Sequence, residues 1–157
     1  MIADQLREAL RHQPQSVAII TAAGADGPVG VTVSSFGSAS MRPPLVAAWI
    51  GATASAWPVL STVPMFAVHL LGTGQRELAD LFARKGADRF GPATAWEPDE
   101  DGVPHLLDAP VRMRCQAVRR MEVGDHVALV GAPVEIRSVP EEVPPLVRHQ
   151  GRWTSVA

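Results

Sequence analysis

Between Ser16 and Ser35 the chain reads "SVAIITAA", then "GADGP", then "VGVTVSS". An apolar, β-branched run, a turn of Gly and Asp, and a second extended run make up the signature of a β-hairpin. The pattern recurs, and that constrains the fold more than any other feature. "LVAAWI" (45–50), entered through the Pro43–Pro44 corner, and "MFAVHLL" (65–71) have strand length and strand composition. "VRMRCQAVRRMEV" (111–123) alternates Val111, Met113, Cys115 and Ala117 with polar neighbours, as a half-buried strand does. "HVALVGAPVEIRSV" (126–139) is another strand, in which Gly131 marks a bulge or a close approach. "PLVRHQGRWTSV" closes the chain as a hairpin.

Helical signals are fewer. Ile2, Leu6, Ala9 and Leu10 recur at helical spacing, and "GQRELADLFARK" sets Leu78, Leu81 and Phe82 on one face. "SAWPVLS" reads as a short helix, with Pro58 in its first turn and Ser55 as its cap. Phe90 to Pro110, rich in Pro, Asp, Glu and Gly, is expected to be mostly loop. Strands dominate and do not alternate regularly with helices, which argues against a doubly wound parallel sheet. A mainly β fold is expected, a closed or nearly closed antiparallel barrel with helical inserts.

The 157 residues fit one domain, 1–157. A formal net charge of −2 gives no basic field for nucleic acid. There is no apolar run long enough for a bilayer and no secretory core in "MIADQLREALRHQPQ". Cys115 is the only cysteine, so an internal disulfide is excluded, and the five histidines lack metal-ligand spacing. A cytoplasmic protein without membrane or nucleic-acid partners is expected.

"GVTVSSFGSASMRPPL" (30–45) carries too many hydroxyls for an ordinary strand. Thr32, Ser34, Ser35, Ser38 and Ser40 suit the polar edge of a flat heteroaromatic ring, or simply turn and core duty. Small residues at "GATASAW" (51–57), with Thr53 and Ser55, suit a phosphate seat or a plain helix cap. Arg84, Lys85 and Arg89 read as a solvated helix end or a phosphate-binding edge. His126, after "GD", is a turn histidine bonded to Asp125 or a ring facing a cleft. Cys115 reads as a buried core thiol.

Together these segments resemble the flavin reductase-like family, the small reductase components of two-component flavin monooxygenases. "GVTVSSFGSASMRPPL" is similar to that family's post-hairpin signature nearly position for position. "FAVHLLGTGQRELADLFARKGADRF", "GDHVALVGAPV" and "PLVRHQGRW" resemble its later blocks in order and separation. The chain differs at Ala56, where many members carry a phosphate-contacting threonine, at His69 (commonly asparagine), and at Arg148 and Trp153 (often tyrosine).

The resemblance implies a split β-barrel of Greek-key antiparallel type that binds FMN or FAD, with NADH or NADPH as co-substrate. It further implies a homodimer with the flavin at or near the subunit interface. Thr32, Ser34 and Ser35 would contact the isoalloxazine edge, and Ala52, Thr53 and Ser55 would lie near the ribityl phosphate. Arg84, Lys85, Arg89 and Phe90 would shape the far side, and His126 would face the nicotinamide. Hydride would pass directly between stacked rings, with no protein acid or nucleophile, and reduced flavin would go to a partner monooxygenase. The alternative is a flavin-binding carrier or assembly subunit of the same fold without reductase activity. A flavin oxidase for small amines or pyridoxine phosphate fits less well, because basic residues for a second phosphate are few.

Overall fold

In chain order, helix α1 (Ile2–Leu10) precedes β1 (Gln15–Ser16), β2 (Ala18–Gly24), β3 (Gly27–Val33), β4 (Gly37–Met41) and β5 (Pro44–Gly51). Then come α2 (Trp57–Leu60), β6 (Met65–Leu70), a 3-10 turn (Thr73–Gln75) and α3 (Arg76–Ala83). The chain ends with β7 (Trp96–Pro98), β8 (Pro104–Leu106), β9 (Val111–Val123), β10 (His126–Ser138), β11 (Val147–His149) and β12 (Arg152–Thr154). This computed structural model describes residues 1–156.

The main sheet has seven strands in the order β3-β2-β6-β9-β10-β5-β4, all neighbours antiparallel. The edge strands β3 and β4 are joined only through Ser34–Phe36 and share no ladder, so the barrel is split rather than closed. The two-residue turn Gly124–Asp125 between β9 and β10 has Gly124 at φ 60°, the left-handed first position that favours glycine in such hairpins. Gly131 combines both features expected of it. The β9–β10 ladder slips between Val130 and Gly131, and a Cβ there would lie 2.4 Å from the Phe66 ring.

Some local expectations change. Ser38 and Ser40 lie within β4, which slips register between them, rather than in a turn. The cap of α2 is Ala56, and Ser55 makes no capping bond. Within the expected loop of 90–110, β7 and β8 pair as a short hairpin.

Two hydrophobic clusters sit on opposite faces of β2. Ala18, Ile20 and Ala22 join Phe66, Leu129 and Ile50 inside the barrel, with Cys115 among them. Burial pushes the Cys115 thiol up to about 12, as expected of an inert core thiol. On the other face Val17 and Ile19 pack with Ala79 and Phe82 of α3, Leu106 and Leu146. His69 is fully buried beside this second cluster. Its Nδ1–H donates to the Ile19 carbonyl (3.0 Å), and its Nε2 accepts from the Leu106 amide (3.0 Å). Those partners define one neutral tautomer that joins β2, β6 and β8.

Burial lowers the His69 pKa from 6.5 to about 3, helped by nearby His105 and Arg112 and opposed by the bond to Ile19. Between those values the unfolded chain holds the extra proton, so this group's contribution is full above about pH 6.5 and falls with pH. By pH 5 the loss is about 2 kcal/mol. Urea unfolding of the wild type should therefore show a lower midpoint at pH 5 than at pH 7.5, and His69→Asn should flatten that dependence. An equal pH slope in both proteins would contradict it.

Candidate functional site

Gly30 sits inside β3, where an isolated glycine signals a close approach. A Cβ at Gly30 would lie 2.6 Å from the Phe82 ring and 3.3 Å from that of Phe90. Its absence lets α3 and the following loop settle onto the strand. Phe82, Phe90 and Trp96 then stack edge to face in series, with ring centroids 5.2 Å apart at each step. The Trp96 indole N–H donates to the Phe90 carbonyl and holds the loop's far end (3.2 Å).

Arg89 fixes the loop's position. One guanidinium nitrogen donates to the Gly30 carbonyl at 2.6 Å and reaches Ser55 Oγ at 3.5 Å; another donates to the Arg84 carbonyl at 3.1 Å. These partners are neutral oxygens, and no carboxylate pairs with Arg89 among the described residues. Burial pushes its pKa below the ordinary arginine range, but a guanidinium stays cationic at neutral pH. The result is a cleft of about 420 Å³ lined by Gly30, Ser55, Ala56, Arg89 and Phe90, within the size range of small-molecule sites. Arg84 and Lys85, just before Gly86, are exposed and make no ion pair among the described residues; Arg84 lines a separate hollow with Leu78, Leu81 and Asp108.

The 51–56 segment links this cleft to the β9–β10 turn. The Ala52 amide donates to the Asp125 carbonyl at 2.9 Å, and Gly51 pairs with His126 across the β5–β10 ladder. His126 is half exposed and its Nδ1 lies 2.7 Å from Asp125 Oδ1, the turn contact read as one of its two possibilities. That contact holds the fully exposed Asp125 carboxyl below the usual carboxylate range. Thr53 is exposed, and α2 is only four residues long, so its dipole adds little to a phosphate seat.

The hydroxyls expected to serve a ligand divide into distinct roles. Thr32 Oγ1 donates to the Ala79 carbonyl at 2.7 Å and ties β3 to α3. Ser35 Oγ accepts from the Trp49 amide and donates to the Trp49 carbonyl, both at 3.0 Å. Ser34 is exposed and has no hydrogen-bond partner among the described residues. The structure thus brings Ser55, Arg89 and Phe90 together, and sets Ser35 and His126 along β5 beside them. Sequence reading passed over Gly30 and Asp88 of the cleft, although the isolated glycine in β3 was a readable signal.

The fold is a split antiparallel barrel with a cleft lined by Ser55, Asp88, Arg89 and Phe90. A model of the family described as "Flavin reductase like domain" matches residues 10–157, and the chain belongs to that family. It is 34% identical over 154 residues to the NADH:FMN oxidoreductase of Rhodococcus qingshengii, covering 96% of this chain and 80% of that one. Its fold matches the NADH:FAD oxidoreductase SgcE6 of Streptomyces globisporus C-1027, solved with NAD and FAD fragments. There the TM-score is 0.91 at 31% identity, covering 99% of this chain and 93% of that one. It also matches BorF, the flavin reductase component of a bacterial two-component tryptophan halogenase, with a TM-score of 0.87 at 26% identity over 98% of each chain.

Replacing Arg89 by Met removes the fork that joins Gly30, Ser55 and Arg84. Stability should fall by about 1–3 kcal/mol, and trypsin should cut sooner after Arg84 or Lys85. Urea midpoints and timed digests check this; unchanged values in both would contradict the role assigned to Arg89.

Proposed function

We propose that the protein is an NAD(P)H:flavin oxidoreductase that passes a hydride to FMN or FAD and releases reduced flavin to a partner monooxygenase. The observation that carries the reading is the cleft lined by Ser55 and by Arg89, which no carboxylate pairs among the described residues, continued by β5 to His126. The Arg89 guanidinium and the Ser55 hydroxyl suit a ribityl phosphate, beside the Asp88 carboxylate that also lines the cleft. The reductase names of the relatives point to the same chemistry.

When bound, the flavin supplies the hydride acceptor and the nicotinamide the donor. Ser34 offers a free hydroxyl to the ring edge, while Thr32 and Ser35 hold the strand end in place. Ala52, Thr53 and Ser55 would lie near the phosphate, Arg84, Lys85, Arg89 and Phe90 would shape the far side, and His126 would meet the nicotinamide. Positioning the two rings is the protein's main contribution to rate.

A homodimer is part of the reading. Every residue of α1 is exposed, although Ile2, Leu6 and Leu10 form an apolar stripe. Val118, Met121, Val134 and Ile136 leave a second apolar area open on the β9–β10 ribbon. A second copy covering these areas would bury surface that a lone chain exposes. No described helix is long and apolar enough to cross a membrane, and one buried cysteine suits the cytoplasm, where we place the protein.

Anaerobic mixing of the protein with FMN or FAD and NADH or NADPH should bleach the flavin far faster than the mixture without protein. No acceleration in any combination, together with tight flavin binding, would overturn the reductase reading in favour of a carrier.

A further inference from the structure

On β5 the side chains alternate between the barrel interior and its outside. Ala48 and Ile50 are buried, whereas Trp49 projects outward and is 41% exposed. Its neighbours on that outer face are small: Ala47 and Gly51 along the strand, and Ala128 directly across the ladder. Met121 follows one strand further. The indole therefore stands open, with no larger side chain beside it on β5 or at its pairing position on β10.

Its place relative to the proposed site is defined on both sides. Ser35 fixes the Trp49 backbone through both its donor and its acceptor bond. His126 pairs with Gly51, two residues further along the same face. Trp49, Gly51 and His126 thus share one outward face, with Ser35 bonded to the Trp49 backbone at its edge. The indole N–H of Trp49, like that of Trp57, makes no hydrogen bond among the described residues, whereas those of Trp96 and Trp153 are engaged.

We propose that Trp49 is a stacking platform for the planar flavin ring, between the serine edge and the nicotinamide-facing histidine. This rests on the flavin reading of the site and adds a ring contact to it. An electron-rich indole packs well against an electron-poor heteroaromatic ring, and the small residues around Trp49 leave room for the ring to lie flat. Ser35 then acts as a positioning residue, because its hydroxyl holds the strand segment that carries the indole.

The test is FMN titration of the purified protein, followed by flavin fluorescence and checked by calorimetry, with no reductant present. Trp49→Leu keeps an apolar side chain but removes the π face. It should weaken FMN binding by about tenfold and relieve much of the quenching of bound flavin, whereas Trp49→Phe should stay within about threefold of wild type. Ser55→Ala combined with Arg84→Ala tests the site itself. If that double variant weakens FMN binding while Trp49→Leu binds and quenches like wild type, the stacking proposal alone is overturned. If neither protein differs from wild type, the flavin site falls with it. If Trp49→Leu loses affinity only at concentrations where sedimentation shows separated copies, the indole serves contact between copies and the proposal is overturned.

Discussion

The contact between the Arg89 guanidinium and the Gly30 carbonyl determines whether a cleft exists. Gly30 lies mid-strand in β3, and Arg89 lies midway along the loop from α3 to β7, so the contact ties that loop to the strand. The same guanidinium reaches the Arg84 carbonyl and Ser55, so one planar donor group gathers three separate segments. It can do so because glycine lets Phe82 and Phe90 approach β3 to distances that a methyl group would block. Packing and charge are therefore coupled at this point. The aromatic series sets the loop's depth, and the arginine sets its direction.

The cleft also lies where the two hydrophobic clusters meet. Ala56 and Val29 belong to the barrel interior, and Phe90 belongs to the cluster under α3. His69 helps hold the second cluster to the barrel by joining β2, β6 and β8 through one neutral imidazole. Outside it, Asp99 accepts from the amides of Asp101 and Val103 and pairs with His105 and Arg114. These polar ties secure the β7–β8 hairpin. Trp96 of that hairpin packs on Phe90, so the cleft's loop is supported by an element that need never touch a ligand.

Much of this was legible in the chain. Turn residues and β-branched runs located the hairpins, because backbone preference is local and glycine at a tight turn has a local cause. Gly131 announced its bulge for the same reason. Ser55, Arg89 and Phe90, which the family resemblance implies near a flavin, line one cleft. Hydroxyl roles were less legible. Thr32 and Ser35 look alike in sequence, yet each bonds to backbone 47 or 14 residues away, and no local rule encodes such partners. Ser55 failed as a cap because the first turn of α2 begins one residue later, at a boundary that propensity cannot resolve. The openness of Trp49 arises from small residues on a neighbouring strand, a property of register rather than of its own sequence.

Amide hydrogen exchange with and without FMN tests the central claim most directly. If the cleft binds flavin as described, added protection should concentrate in residues 30–35, 49–56 and 84–90, with little change along β11 and β12. Protection confined to other segments, or none at a saturating FMN concentration, would contradict the account.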